Sequence, residues 1–349
     1  MIDHVHTISI VIPAYNAGTS LHFALDSVLH QSYPNWNAII IDDGSEDDTC
    51  EIARDYVDAD HRFKLLAQTN TGVSGARNLG LAHVNGDWIT FLDADDALGE
   101  TYLENLMRLA AKNEDTDIVI GGASEVGRQT RLLKNRGELQ LRDEKKKDLL
   151  FSLVDSELHG DSGYCLAILG CIWAKLYRKD ILNGIQFDTR ISMREDAAFN
   201  LEAFSRARSI ALSTHCDYIY RQSNSTTSRS FHPCYDNEAE ALLSRFKAIA
   251  TQEKFPDLVL HLGSLHLYMT WLKLFALHPQ NSFSRTEEDE LIRQSFFDEK
   301  WKNAFEAAPP GELKLPYRLL KHFYTNQNIL GVRALKSLND VRKVALCTP

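Results

Sequence analysis

Short apolar runs and amphipathic stretches alternate along the first third of the chain. The runs are rich in Ile, Val and Leu, as buried parallel strands are, and they occupy residues 7–13, 37–41, 63–66 and 88–92. Between them, apolar residues recur at helical spacing, as Leu21, Leu25 and Val28 do. This alternation predicts an α/β fold with a doubly wound sheet and right-handed crossovers.

The last third of the chain follows a helical pattern alone. Residues 258–277 form a long amphipathic stretch that Lys273 interrupts, which indicates packing against the body of the protein rather than a membrane span. Pro309 and Pro310 mark a linker. The pattern divides the chain into residues 1–125, 126–235 and 236–349.

Overall composition restricts the class of protein. The net charge of −10 argues against nonspecific nucleic-acid binding. Six cysteines are scattered without metal-binding spacing, which predicts reduced thiols in a cytoplasmic protein. An ordinary apolar fraction of 44% provides for a sizeable core.

Positive charge is concentrated in two segments. Residues 127–147 contain eight Lys and Arg, which predicts a solvated hairpin or mobile loop. One role for such a loop is a lid over an acceptor substrate. The Leu-rich residues 311–349 carry a net charge of +5, whereas the rest of the chain carries a net charge of −15. Such a tail can bind the anionic inner face of the cell membrane. The alternative is a solvated helix face, and the tail also offers a surface for a homo-oligomer.

Three carboxylates follow the fourth apolar run. Asp93, Asp95 and Asp96 come directly after residues 88–92, and burying unpaired charges in a strand would cost several kcal/mol each. They therefore lie at the carboxyl end of the strand, where open α/β sheets bind ligands. Oxygen-only ligands at this spacing suit Mn²⁺ or Mg²⁺. The alternative is that Asp95 or Asp96 caps the next helix.

Four motifs occur in order. They are residues 9–16 (SIVIPAYN), 41–45 (IDDGS), 70–78 (NTGVSGARN) and 91–96 (FLDADD). Over roughly the first 230 residues the chain resembles family 2 glycosyltransferases, inverting enzymes of the GT-A fold. The resemblance implies a GT-A (nucleotide-diphospho-sugar transferase) Rossmann-like mixed sheet, whose first part binds the nucleotide sugar and whose second part binds the acceptor. No G-x-G-x-x-G follows the first strand, which disfavours a dinucleotide-binding fold.

The resemblance assigns residues to the donor. Asp43 would accept from the uracil imide of a UDP-sugar, or else simply begin an Asp-Gly-Ser turn. Asp95 would bind the metal directly, and Asp93 would assist it and contact the ribose or sugar. Arg77 would hold the pyrophosphate, or else form a salt bridge with one of the aspartates. The other donor-side residues are Pro13, Ala14, Tyr15, Ala94 and Arg221.

The resemblance also places a catalytic base in the acidic pair Glu195 and Asp196, before a predicted helix. One carboxylate suffices for inversion because no covalent intermediate forms; Asp196 is the predicted base and Glu195 its substitute. The alternative is an acidic turn favoured by the helix dipole. Family members often carry Gly before this pair, where this chain has Arg194. Trp173 either stacks on an acceptor sugar or lies in the core.

The predicted function is metal-dependent, inverting transfer of a hexose or N-acetylhexosamine from a UDP-sugar to a growing surface glycan. Capsule, exopolysaccharide and lipid-linked oligosaccharide are the acceptor classes considered. One alternative is a nucleotidyltransferase, which would need a Gly- and Arg-rich phosphate loop where residues 14–16 read AYN. Another is a catalytically inactive glycan-binding module, against which Asp43, Asp95 and Asp196 argue.

Overall fold

The chain divides into two units. The computed structural model describes residues 6–125, 128–130, 137–154, 166–221, 231–307 and 315–336. The first unit comprises residues 1–153 and 160–224, and the second comprises residues 154–159 and 225–349. The predicted linker at Pro309 and Pro310 lies outside the described residues.

The first unit begins with alternating strands and helices. They are β1 (Ile8–Ala14), α1 (Leu21–Leu29), β2 (Trp36–Asp42), α2 (Thr49–Ala59), β3 (Phe63–Ala67), α3 (Gly72–His83), β4 (Trp88–Phe91), β5 (Ala97–Leu98) and α4 (Tyr102–Ala110). Its second half contains β6 (Thr116–Ile120), β7 (Ala123–Glu125), β8 (Arg128–Thr130), β9 (Leu139–Leu141), α5 (Asp143–Val154), α6 (Leu166–Gly170), β10 (Lys175–Arg178), α7 (Glu195–Arg206), β11 (Ser209–Leu212) and β12 (Tyr218–Ile219).

A mixed sheet of eight described strands forms the centre of this unit, in the order β3-β2-β1-β4-β10-β6-β11-β9. β3, β2, β1 and β4 pair in parallel, and every residue of β1 is buried. β10 enters antiparallel between β4 and β6. The predicted α/β fold with a mixed sheet is confirmed, and the antiparallel strands β10 and β9 make the sheet mixed.

A second sheet of four described strands has the order β5-β12-β7-β8. β12 pairs antiparallel with β5, with Tyr218 opposite Leu98. Since β5 directly follows the aspartates at 93–96, this pairing brings the chain around Tyr218 beside them. Two segments separated by more than a hundred residues thus share one edge of the fold.

Helix α3 lies against β1 and β2. A Cβ atom added at Gly80 would lie 2.5 Å from Val11 Cγ1 and 2.9 Å from Ile41 Cδ1, so glycine permits this close approach. The helix begins at Gly72, although residues typical of turns precede it. Contacts from β2 nevertheless hold its first turn, as described below.

The prediction of a solvated hairpin or loop at residues 127–147 is only partly right. β7 and β8 form a hairpin, but β9 adds an edge strand to the central sheet and α5 begins at Asp143. Charged residues in this segment make specific contacts, which hydrophobic periodicity does not register. Lys146 Nζ, for example, donates to the carbonyls of Ser205 and Ala207 at 3.0 and 2.7 Å.

The second unit is helical. Its elements are α8 (Tyr235–Gln252), α9 (Asp257–Trp271), a π-helical turn (Leu272–Ala276), α10 (Arg285–Ser295), α11 (Glu299–Ala307) and α12 (Leu315–Thr325). The ring of Tyr268 is fully buried and packs edge-on against Trp301 and Phe305. None of the helices in the described ranges is both long enough and apolar enough to cross a bilayer.

Candidate active site

The loops that follow β1 and β2 are joined at the carboxyl edge of the sheet. The main-chain N–H of Asp43 donates to the carbonyl of Ala14 at 2.9 Å. Asn16 N–H donates to Ser45 Oγ at 3.0 Å. Pro13 and Ala14 are buried, whereas the side chain of Tyr15 is 50% exposed. The backbone at Ala14 therefore lies beside Asp43, and the ring of Tyr15 next to it is accessible.

Asp43 is buried but keeps one oxygen available. Its Oδ1 accepts from Gln68 Nε2 at 2.7 Å and from Thr71 N–H at 2.9 Å, which holds the start of α3. The described hydrogen bonds to this carboxylate all reach Oδ1, so Oδ2 can accept from a ligand. The turn role belongs to Asp42, whose Oδ1 accepts from Ser45 N–H at 3.1 Å.

The aspartate cluster after β4 contains three different environments. Asp93 is 28% exposed, Asp95 is partly exposed, and Asp96 is buried. Ala94 between them is buried. The residue before α4 is Thr101, so neither Asp95 nor Asp96 caps that helix. The capping alternative is therefore wrong.

Asp96 supports the cluster from inside the protein. Tyr218 Oη donates to its Oδ2 at 2.7 Å, and Arg221 N–H donates to its Oδ1 at 2.9 Å. Burial, followed by the charge of Asp93, raises the pKa of Asp96 to about 7. Sequence reasoning had no means of finding Tyr218, because β12 lies far from Asp96 along the chain.

Arg221 is held beside the aspartate cluster by its main chain. Its guanidinium carbon lies 3.9 Å from the ring centroid of Phe23, a cation–π geometry. Nη1 is buried and makes no hydrogen bond within the described part of the chain. A guanidinium so placed retains a donor for an anionic group.

Arg77 is a buried cation surrounded by three carboxylates. Its Nη1 donates to Asp196 Oδ1 at 2.6 Å and to Glu195 Oε1 at 3.2 Å. Its Nη2 donates to Asp93 Oδ1 at 3.1 Å. Only 4% of its side chain is exposed. Burial alone would lower the pKa of Arg77, but the three carboxylates raise it above its usual value. The structure shows the salt-bridge alternative, extended to three partners.

Asn78 fixes the helix that presents Arg77. Its Nδ2 donates to the carbonyl of Phe187 at 2.9 Å, and its Oδ1 accepts from the N–H of Phe187 at 2.8 Å. The Phe187 ring then stacks on Phe199 of α7, with centroids 4.2 Å apart. Asn78 belongs to the motif at residues 70–78, whose Arg-Asn pair the family resemblance places near the donor. Its function here is to join α3 to the loop before α7.

Helix α7 begins with the acidic pair. Arg194 before it has φ = 67° and ψ = 19°, the left-handed conformation that glycine adopts most readily, which accounts for the Gly expected there. Asp196 Oδ2 accepts from Ile172 N–H at 3.0 Å, while Oδ1 faces Arg77. Burial and the nearby charge of Asp196 raise the pKa of Glu195 despite the opposing effect of Arg77.

Trp173 belongs to an aromatic stack. Its ring lies nearly parallel to Tyr218, with centroids 4.7 Å apart, and 6.1 Å from Tyr220. Trp173 is half-buried. It belongs to the loop that contacts Asp196 through Ile172.

The aspartate cluster suits a hard divalent cation. Within the described ranges, no three His, Cys, Asp or Glu side chains converge as a complete metal cage. Asp95 makes no hydrogen bond to another described residue, and Asp93 gives one oxygen to Arg77. Mg²⁺-type ions are commonly held by one or two carboxylates together with substrate phosphates. These donors fit that arrangement.

One family model matches the part of the chain that carries these loops. The model of Glycosyl transferase family 2 matches residues 9–183, half of the chain. The chain belongs to glycosyltransferase family 2. The matched residues include the loops of Asp43, Arg77 and Asp95.

Two curated relatives of this family 2 glycosyltransferase come from Bacillus subtilis. The uncharacterized glycosyltransferase EpsJ is 29% identical over 236 residues, 67% of this chain and 66% of EpsJ. The putative glycosyltransferase EpsH is 30% identical over 219 residues, 61% of this chain and 60% of EpsH. The chain thus matches less than two thirds of the length of either relative.

Solved structures of Staphylococcus aureus TarS share the fold. TarS 1–349 in complex with UDP has a TM-score of 0.69 at 18% identity, covering 95% of this chain and 90% of that one. The complex with UDP-GlcNAc has a TM-score of 0.65 at 20% identity, with the same coverage. These matches confirm the GT-A fold.

Replacing Arg77 should expose the repulsion among its carboxylates. We expect Arg77→Met to lower the free energy of unfolding by about 3–5 kcal/mol near pH 8, because it leaves buried charges unpaired. The loss should shrink near pH 5, where carboxylates of raised pKa accept protons. Urea denaturation at both pH values measures the effect.

Arg62→Met is the matched control. Arg62 pairs with Asp60 at 2.7 Å in a more exposed position, so its loss should cost about 1 kcal/mol or less. Equal costs for the two variants would contradict a special role for the buried cluster.

Asp96 should make stability fall as pH rises. Its ordinary pKa is 3.8 and its folded pKa is about 7. Between these values the folded state holds a proton that the unfolded state has lost, so stability present below about pH 4 is lost as pH passes through about 7. In EDTA, Asp96→Asn should flatten this decline by about 2–4 kcal/mol. The free energy of unfolding of both proteins is measured in urea from pH 4 to 8. Parallel curves for the variant and the wild type would contradict the assignment of this decline to Asp96.

Proposed function

We propose that this enzyme transfers a hexose or N-acetylhexosamine from a UDP-sugar to a sugar hydroxyl with inversion. The observation that carries the proposal is the contact of Arg77 with both Asp93 and Asp196. Asp93 belongs to the predicted donor side, and Asp196 is the predicted base. One buried cation therefore joins the group that would meet the donor to the group that would activate the acceptor.

The uridine site is proposed at the edge of β1 and β2. Asp43 Oδ2 is available to accept from the uracil imide, and the exposed ring of Tyr15 can flank the base. Pro13 and Ala14 supply the buried backbone beneath it. The TarS complexes with UDP and UDP-GlcNAc support this class of donor.

The diphosphate site is proposed at Asp95, Asp93 and Arg221. Asp95 and Asp93 would hold Mn²⁺ or Mg²⁺, which when bound would neutralise the diphosphate leaving group. Arg221 would contribute its buried Nη1. Arg77 has both η nitrogens engaged by carboxylates, which favours an organising role over the predicted pyrophosphate contact.

Asp196 is proposed as the base. As the acceptor oxygen attacks the anomeric carbon, Asp196 takes the hydroxyl proton and the bond to the diphosphate oxygen breaks. The attack from the opposite face inverts the anomeric centre, so an α-linked donor yields a β-linkage. Burial raises the pKa of Glu195, so Glu195 favours its protonated form and is the less suited of the pair to accept a proton.

The acceptor is proposed to approach past Trp173. This half-buried ring, stacked with Tyr218 and Tyr220, offers an aromatic surface beside the loop of Asp196. A growing surface glycan, as in the capsule, exopolysaccharide and lipid-linked classes, suits such a surface. The poly(ribitol-phosphate) beta-N-acetylglucosaminyltransferase TarP of Staphylococcus aureus, 29% identical over 217 residues, supports a polymeric acceptor.

The location of the enzyme stays a prediction. Membrane contact through residues 311–349 would use their positive charge, but Arg333 is bonded to Asp289 and Glu288. Part of the tail charge is thus neutralised within the second unit. The cytoplasmic location and homo-oligomer likewise stay predictions.

Release of UDP identifies the donor. The enzyme is incubated with Mn²⁺ and UDP-glucose, UDP-galactose, UDP-GlcNAc or UDP-GalNAc, with and without EDTA. We expect slow hydrolysis of one donor that EDTA abolishes. If no donor is hydrolysed and calorimetry detects no UDP binding, the UDP-sugar proposal fails.

Asp196→Asn separates binding from chemistry. We expect UDP affinity to stay within about twofold, while turnover of the identified donor falls by roughly 100-fold to 10,000-fold, as for loss of a general base. Glu202→Gln is the control, because Glu202 pairs with Arg206 on the surface of the same helix. Turnover by Asp196→Asn at the wild-type rate would rule out the assigned base.

A further inference from the structure

The loop that contacts Asp196 comprises residues 168–173, from the last turn of α6 to Trp173. Its carbonyls are turned into the protein. Each carbonyl of residues 168–173 accepts a hydrogen bond from one of three buried side chains, which are Lys175, Tyr177 and Asn200. All three side chains are fully buried. The chain therefore devotes three buried polar groups to the shape of one short segment.

Lys175 binds this loop without a carboxylate partner. Its Nζ donates to the carbonyls of Ile168 at 2.6 Å, Cys171 at 2.5 Å and Trp173 at 3.3 Å. It forms no ion pair with any described acidic residue. Three carbonyls match the three donors of an ammonium group, and a buried charge is tolerable only with such satisfaction.

Asn200 completes the set from helix α7. Its Nδ2 lies within hydrogen-bond distance of the carbonyls of Leu169, Gly170 and Cys171, the shortest contact being 2.8 Å to Cys171. Its Oδ1 accepts from Tyr177 Oη at 2.6 Å. Asn200 lies one helical turn after Asp196, so both residues face the same loop.

The consequence is a fixed amide beside the base. With the carbonyls held inward, Ile172 N–H points to Asp196 Oδ2 at 3.0 Å. A hydrogen bond to a carboxylate favours its ionised form and its orientation. The inward carbonyls therefore help to fix the direction of this amide.

We infer that Lys175 and Asn200, with Tyr177, are positioning residues for the reaction, shaping the loop at 168–173 so that Ile172 N–H orients Asp196. The inference rests on the proposed function, in which Asp196 is the base. None of the three residues needs to touch the substrates. They act through the main chain of the loop, which also carries Trp173.

Lys175→Met is the decisive variant, because it keeps the length of the side chain and removes its donors. We expect UDP to bind with unchanged stoichiometry and with affinity within about twofold. The kcat for UDP release from the identified donor should fall roughly 10- to 100-fold through misplacement of the base. The acid limb of the pH–rate profile should move up by about one unit, because the base has lost both a hydrogen bond and the charge of Lys175 nearby. Tyr177→Phe, which keeps that charge, separates the two effects.

Several charged or titratable groups influence Asp196 and must stay unchanged in that comparison. Arg77 lies on α3 and Asp93 in the loop after β4. Glu195 lies on the same helix as Asp196, and Cys171 lies in the loop. Tyr177→Phe is the milder second variant, since it removes one hydroxyl that bonds Asn200 and Ile172. Tyr177→Phe should lower kcat less than Lys175→Met does and should move the acid limb in the same direction. If Lys175→Met does not fold, Tyr177→Phe alone tests the positioning role.

Tyr268→Phe is the control, because it removes an equally buried hydroxyl whose partner, Ser295, lies in the second unit. Its kcat and pH profile should match the wild type. The inference is overturned if folded Lys175→Met and Tyr177→Phe both keep the wild-type kcat and pH profile. It is also overturned if kcat falls only in proportion to a loss of UDP-binding stoichiometry. If Asp196→Asn is inactive while these variants are normal, only the positioning role fails. An active Asp196→Asn variant would instead remove the proposed function.

Discussion

The buried guanidinium of Arg77 is the interaction on which the site depends. Three carboxylates approach it, from the loop after β4 and from the start of α7. Without the cation, their mutual repulsion and their burial would force these segments apart or into protonated forms. With it, two parts of the chain more than a hundred residues apart share one electrostatic centre. The proposed arrangement, with a donor-side carboxylate and a base at close range, depends on that sharing.

The fold supplies the rigidity that this centre requires. Gly80 lets α3 approach the sheet closely, and Asn78 joins the same helix to the backbone of Phe187. On the other side of Asp196, the inward carbonyls of residues 168–173 fix the amide of Ile172. Asp196 is thus held by a cation through one oxygen and by an amide through the other. Such preorganisation costs nothing at the moment of reaction.

Local pattern predicted the parallel half of the sheet well, because a buried parallel strand has an apolar signature that neighbouring residues alone create. It was less complete at residues 127–147, where it predicted exposed charges but not the edge strand β9 or the helix α5. There Arg142 pairs with Asp115 and Lys146 reaches the carbonyl of Ala207. Charges that find partners distant in sequence are indistinguishable, in the sequence, from charges that face water.

The sequence by itself determined the alternating architecture, the family resemblance and the residue types at the carboxyl edge, because these depend on short motifs and local periodicity. Asp43, Asp95 and Asp196 could be singled out in that way. Only the tertiary structure decided that Arg77 binds three carboxylates and that a buried Lys175 holds a loop. Hydrogen bonds and charge pairing are short-ranged in space, and the partners here lie 16 to 119 residues from Arg77. Which distant partner a side chain meets is therefore set by the packing of the sheet and helices, not by its neighbours in the chain.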